Sequence, residues 1–198
     1  VYLFQAGHAP LIYSDHAGVI EKIDDHSHST GVAPLGNDVL AAFGRLWVSD
    51  IGTDKSTIYW SDLLNGAGWT GGSTGSIDIT KVWPTGYDTI TSIEAHNGFL
   101  VIFGRRSIVI YSGAEDPSTM TLSDTISNIG LVSRDAKVST GKDLIFLDDS
   151  GVRSIARTIQ EKSAPIGDIS KNVNSDIKSL YSAETGKIKM HYSAIIKS

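Results

Sequence analysis

The feature that most constrains this chain is a recurrence of short apolar, β-forming runs at a nearly constant interval. Tyr2-Leu3-Phe4, Leu46-Trp47-Val48, Leu100-Val101-Ile102-Phe103 and Leu144-Ile145-Phe146-Leu147 line up, with a weaker fifth run at Ile188-Lys189-Met190. From Leu3 through Leu46, Leu100 and Leu144 to Ile188 the intervals are 43, 54, 44 and 44 residues. Each of the first four runs leads through a turn into a second short run. These are Leu11-Ile12-Tyr13-Ser14, Ile58-Tyr59-Trp60-Ser61, Ile108-Val109-Ile110-Tyr111 and Val152-Arg153-Ser154-Ile155. Gly, Asp, Ser and Pro fill the turns, so each pair reads as a β-hairpin. A repeat of roughly 40–50 residues with several short strands has the size of one propeller blade. The sequence therefore predicts an all-β chain, a partial or irregular β-propeller of antiparallel hairpin blades with one helix near the C-terminal end.

The blade-like units fall at about 1–36, 37–80, 81–130 and 131–165, with no separate second domain. The one long interval is explained by a glycine-rich insertion running from Gly66 to Ser76. Insertions of this kind map to surface loops. The β pattern breaks once. Ile166, Ile169, Val173, Ile177 and Leu180 recur at helical spacing, which predicts an amphipathic helix over 168–181, capped by Asp168 and stopped at Glu184-Thr185-Gly186. Elsewhere helix is scarce; Asn37 to Phe43 has room for a single turn. The chain opens inside a strand pattern and closes straight after the start of a further strand pair, so it reads as part of a larger propeller.

Composition narrows the class. With 40% hydrophobic and 20% charged residues in 198, the chain has enough apolar content for a packed core and is not disordered. Its apolar stretches are far shorter than a membrane-spanning helix requires, and no basic, apolar leader stands at the start. The absence of cysteine removes disulfides, thiolate chemistry and cysteine-based zinc sites. Seventeen basic against 22 acidic residues give a net charge of −5, the wrong sign for a surface that coats nucleic acid.

Motif by motif, chemistry is sparse. Gly66-Ala67-Gly68-Trp69-Thr70-Gly71 has dinucleotide-turn spacing, but Ser76 to Val82 just beyond it alternate like a strand, whereas that turn needs a helix N-terminus for the pyrophosphate. Asp24-Asp25-His26-Ser27-His28 packs oxygen and imidazole ligands together. On a strand His26 and His28 would share a face, but a zinc set needs a third and a fourth ligand, of which His8, His16 or Asp24 could supply one; a solvated loop is the plainer reading. Asp148-Asp149-Ser150-Gly151 lacks the twelfth-position carboxylate of a calcium loop and reads as a hairpin turn. No Gly-x-Ser-x-Gly and no base-like histidine context is present, so the sequence offers no nucleophile machinery and reads as non-enzymatic. The 22 acids neither support nor exclude a glycosidase pair.

The order of segments carries a resemblance. Gly44-Arg45-Leu46-Trp47-Val48 and Ile58-Tyr59-Trp60-Ser61 come first, then Asn97 to Phe103 and Ile108 to Gly113, and last Gly130-Leu131-Val132-Ser133-Arg134, Gly141 to Leu147 and Gly151 to Ile155. Together, over roughly 40–190, these resemble the propeller region of the tail nozzle proteins of short-tailed bacteriophages, also called tail tubular protein B or DNA-stabilisation protein. The resemblance implies a structural virion protein of the phage tail. Six identical subunits would form a ring below the portal and adaptor, sealing the packaged genome and conducting it during ejection. It implies assembly in the host cytoplasm, contacts with the adaptor and other tail proteins, transient passage of DNA, and no cofactor. Such nozzles are several times longer than this chain.

The expected interaction residues are Trp69, one large anchor in the glycine-rich insertion, and Arg105 and Arg106 at a hairpin tip; Arg134 is a further candidate contact. The insertion has too little apolar content to fold alone, so a neighbouring subunit or tail protein is expected to order it. Two other classes fit the sequence. One is a carbohydrate-binding or carbohydrate-active propeller with Trp60, Trp69 and Trp83 as stacking platforms. The other is a cellular propeller that scaffolds protein interactions.

Overall fold

The computed structural model describes residues 1–5, 7–14, 18–161, 169–183 and 188–191. They form four antiparallel sheets, each drawn from consecutive strands. Sheet 1 holds β1 (Tyr2–Leu3), β2 (Leu11–Ser14) and β3 (Val19–Lys22). Sheet 2 holds β4 (Gly36–Ala42), β5 (Arg45–Ile51), β6 (Thr57–Trp60) and β7 (Gly75–Asp78). Sheet 3 holds β8 (Ile90–His96), β9 (Phe99–Gly104), β10 (Ser107–Ser112) and β11 (Thr121–Ser127). Sheet 4 holds β12 (Lys137–Ser139), β13 (Leu144–Asp148) and β14 (Gly151–Ser154). Two helices come after them, α1 (Ile155–Glu161) and α2 (Asn174–Ala183). Strand order within every sheet is sequence order, and no strand ladder joins one sheet to another among the described residues.

The apolar runs are continuous, not alternating, because β9 and β10, the central strands of sheet 3, are covered on both faces. On β9, Leu100 and Ile102 point to one core while Val101 and Phe103 point to another. On β10, Val109 and Tyr111 join the first, Ile108 and Ile110 the second. The first core is completed by Trp47, Ile58 and Trp60 of sheet 2, the second by Leu144 and Phe146 of sheet 4. Sheets 2, 3 and 4 therefore stack face to face in chain order, with Phe103 and Phe146 touching across the second junction at a ring separation of 5.1 Å. The linkers belong to the core too: Ile79 and Trp83 seal the first junction, Ile129, Leu131 and Val132 the second. Sheet 1 is joined differently, through a small core of Ile12, Ile23, Ala33 and Ala67.

Three expectations need correction. Asn37 to Phe43 holds no helical turn; it is β4, ending in a two-residue turn in which Phe43 and Gly44 both have positive φ (54° and 70°). That conformation matches the twist of an antiparallel hairpin, and Asn97-Gly98 repeats it between β8 and β9. Directly after β14, where the sequence reads as strand, a helix begins instead. There Ser154 caps α1 by accepting the Arg157 N–H at 3.2 Å, and Ile155 and Ile159, one turn apart, pack on the second core. Finally, the later helix starts at Asn174 and not at 168. Ile169 N–H donates to the Val152 carbonyl at 2.8 Å and Val152 N–H to Ser170 Oγ at 2.8 Å. Residues so tied to β14 turn first through a 3-10 segment, Lys171–Val173, before α2 begins. Asp168 and Glu184-Thr185-Gly186 lie outside the described residues. Of the helical apolar set, Ile177 meets the core, whereas Ile169, Val173 and Leu180 are exposed.

If sheet 3 depends on both junctions, Phe103→Ala lowers unfolding free energy by about 3–5 kcal/mol. Leu64→Ala, at a site 86% exposed, changes it by less than about 0.5 kcal/mol. Urea unfolding monitored by tryptophan emission measures both; equal effects would contradict the two-sided core.

Candidate functional site

Three places gather chemistry-bearing side chains. The first is a seam along β4, β8 and β12, the leading strands of sheets 2, 3 and 4, each with one edge outside its own ladder. Edge N–H and C=O groups need partners, and charged side chains supply them. Asp38 on β4, only 5% exposed, accepts from Ile93 N–H (2.8 Å) and Ser92 Oγ (3.1 Å) on β8, and from Ser49 Oγ (3.2 Å) on β5. Arg134 donates to the Asn37 carbonyl at 2.6 Å and to Asn37 Oδ1 at 2.7 Å, while pairing with Asp135 at 3.1 Å. Lys137 on β12 meets Glu94 on β8 at 3.0 Å. Arg134 is thus engaged within the chain. Burial pushes the Asp38 carboxyl up, opposed by the nearby Lys137 charge and its three hydrogen bonds. The Arg134 hydrogen bonds hold Asp135 below the ordinary carboxylate range.

The second is the end of sheets 3 and 4 where hairpin tips meet. Asp88 is buried and accepts three backbone N–H groups: Thr89 at 2.8 Å, Arg105 at 3.0 Å and Arg106 at 2.8 Å. Its carboxylate therefore fixes the tip that carries the two expected arginines. Arg105 reaches across to Asp149 on the next tip at 2.7 Å, and Arg106 is exposed. Between the tips runs Gly130, where a Cβ would lie 2.4 Å from the Arg105 carbonyl carbon; only glycine fits. Asp148 closes the arrangement by accepting from Gly130 N–H at 3.0 Å and from Arg153 Nε at 3.2 Å. The Asp148-to-Gly151 turn is thus a hairpin tip, β13 to β14, with its buried carboxylate already engaged.

The third is the glycine-rich insertion. It is ordered by its own chain, contrary to the expectation of a neighbour. Asp62 Oδ1 accepts Ser73 N–H at 2.9 Å and Ser73 Oγ at 2.7 Å, and these bonds keep its carboxyl below the usual range. Buried Arg45 reaches beneath the loop to Ser73 O at 3.1 Å and Ser73 Oγ at 2.8 Å. Trp69 is half-buried against the small core of sheet 1; its N–H donates to Thr30 O at 2.7 Å and its Nε1–H to Gly66 O at 3.1 Å. The Gly66-to-Gly71 stretch leads into β7, with no helix to receive a phosphate. A cleft of about 550 Å3 opens beside Trp69. The other tryptophans are interior: Trp47, Trp60 and Trp83 belong to the core between sheets 2 and 3. Trp83 therefore offers no exposed stacking platform, and Trp60, 8% exposed, does no more than border that cleft.

His26 and His28 do come together, with ring centroids 5.3 Å apart, but on a turn after a 3-10 segment and not on a strand. His26 Nδ1 accepts the His28 N–H at 3.2 Å, and Asp24 Oδ1 accepts Ala33 N–H at 2.9 Å. His16 lies outside the described residues, and among those described no three His, Asp or Glu side chains converge as a metal site. No family model matches the chain, and no characterised protein matches it by sequence.

Asp38 and Asp88 are the polar residues that sequence reasoning missed. Nothing in the alternation of β4 or in the turn before β8 marks a carboxylate as buried. The only sequence signal is an acid standing where neighbouring residues face a core.

Removing the Asp38 carboxylate leaves Ile93 N–H and two hydroxyls without an acceptor, so Asp38→Ala costs about 2 kcal/mol. A pH dependence arises from its raised pKa. The folded state holds the Asp38 proton more tightly than the unfolded chain. This contribution is therefore fully present below the ordinary carboxyl value of 3.8 and is lost as pH rises through the folded value. The stability of the native chain relative to Asp38→Asn is expected to rise from pH 7 to pH 4 in urea titrations. A relative stability that falls over that range would reverse the sign.

Proposed function

We propose that this chain is a run of blades from a β-propeller and that it works without catalysis, as a rigid wall element of the tail nozzle of a short-tailed bacteriophage. The observation that supports it most is the seam. Three successive four- or three-stranded sheets stack face to face in chain order; β4 packs beside β8, and side chains link the leading strands, Asp38 of β4 to β8, Lys137 of β12 to Glu94 of β8, and Arg134 just ahead of β12 to Asn37 of β4. Leading strands gathered at one axis, with later strands further out, is how propeller blades are arranged. Each blade hands its core to the next, which gives a stiff body with few free sheet edges. The segment order that resembles the nozzle family supplies the particular assignment. The net charge of −5 suits a wall past which DNA slides, because fixed cations would hold phosphates back.

On this reading identical copies form a ring of six, meeting adaptor and tail proteins in the virion after assembly in the host cytoplasm. Arg106, exposed on a tip braced by Asp88, is a natural point of contact. The test is sedimentation and negative-stain electron microscopy of the purified protein across the micromolar range. Rings with sixfold symmetry are expected. A single chain at every concentration, or a ring of another order, would reject the hexameric nozzle.

A further inference from the structure

The junction between sheets 1 and 2 has a smaller buried core, with Tyr2, Phe4 and Trp69 partly buried against it. Where the other junctions bury Trp47, Trp60, Phe103 and Phe146, this one has Ala33 and Ala67 beside Ile12 and Ile23. Beside it, a cleft of about 550 Å3 opens between the linker ahead of β4, the insertion and sheet 2. That is within the range of pockets that hold small organic ligands.

Its lining is specific in chemistry. Aromatic rings come from Trp69, Tyr59 and Trp60, and hydroxyls from Thr74 and Ser76. Gly75, also on the border, lies so close to Trp60 that a Cβ would stand 2.6 Å from the indole. Tyr59 and Ser76 are cross-strand partners on β6 and β7 and therefore share one face of the sheet. None of the eleven bordering residues is charged, whereas the clefts at the hairpin tips are lined by Arg106, Asp88, Asp148 and Arg153.

We infer that this cleft is a binding site for a neutral saccharide, with Trp69 as the stacking platform and Thr74 and Ser76 as hydrogen-bonding partners. An uncharged lining excludes the electrostatic reason to bind phosphates, carboxylates or amines. A wholly apolar occupant would bury the Ser76 hydroxyl, and the acceptor side of the Thr74 hydroxyl that donates to Gly71 O at 2.8 Å, without partners, which costs free energy. A pyranose satisfies both requirements, since one ring face is rich in C–H groups and its rim carries hydroxyls. The platform is already set: Trp69 is held by its N–H to Thr30 and its Nε1–H to Gly66, and Tyr59 by its hydroxyl donating to Asp54 Oδ2 at 3.2 Å. Little conformational freedom remains to be lost on binding. This site is independent of the nozzle reading and does not require a ring.

The experiment is titration of the full chain with maltotetraose, cellotetraose and chitotetraose, read by tryptophan emission and by calorimetry. One of the three is expected to give a saturable response. Trp69→Ala weakens that response by about tenfold or more, and Trp69→Phe restores most of it. Because Trp69 also touches the sheet 1 core, Ser76→Trp serves as a second variant. It fills the cleft from an exposed strand position and abolishes the response with thermal unfolding unchanged. No saturable response to any of the three sugars overturns the proposal. So does binding that Ser76→Trp leaves intact.

Discussion

The whole molecule depends on the central strands of sheet 3, β9 and β10, being buried on both faces. A strand such as β9, whose Leu100, Val101, Ile102 and Phe103 are all withdrawn from water, is stable only if another layer covers each side. The chain supplies those layers from its immediate neighbours in sequence. The connections are short, so they are drawn into the same cores, and Ile79, Trp83, Ile129 and Leu131 are buried on linkers, not on strands. Burial on this scale is non-directional. It says that sheets must touch, not at what height or angle.

Direction comes from the polar seam. Asp38 accepts the backbone N–H of Ile93, and Arg134 donates to the backbone carbonyl of Asn37, so main-chain atoms of neighbouring sheets are tied to named side chains. A slip of β8 against β4 by one residue would leave a buried carboxylate facing the wrong strand face, at a cost the apolar contacts do not offset. Asp88 and Asp148 repeat the device at the hairpin tips, where each carboxylate collects backbone N–H groups that the turn leaves unpaired. The same groups that blunt exposed edges thus also set the register of the stack.

How much of this is legible in the sequence depends on the kind of interaction. The strand pairs announce themselves through Leu46-Trp47-Val48, Leu100 to Phe103 and Leu144 to Leu147, because local composition and turn residues determine hairpins. α1 also leaves a signal, a capping Ser154 ahead of Ile155 and Ile159, but the apolar run from Val152 to Ile155 competes with it as a strand. The start of α2 is not readable, since what delays it is the long-range tie from Ile169 and Ser170 to β14. The seam carboxylate Asp38 is equally silent, as its burial depends on a partner strand more than fifty residues away. The insertion misleads for a related reason. Its glycines promise a loop without an anchor, but the anchors, Asp62 and Arg45, stand in the chain ahead of it.

The distribution of packing also explains where a ligand can be accommodated. Sheets 2, 3 and 4 bury tryptophan and phenylalanine between them, and a cavity there would forfeit both transfer free energy and dispersion contacts. Sheet 1 makes less of this demand, because it meets the rest through a small core of Ile12, Ile23, Ala33 and Ala67 and through the insertion. Its far side even leaves Leu3 and Ile20 exposed. Shape at that junction is therefore free to be set by the loop that carries Trp69, without disturbing the stack. The consequence is a division within one chain: a rigid three-sheet body whose residues are committed to each other, and a loosely filled junction whose aromatic lining remains open.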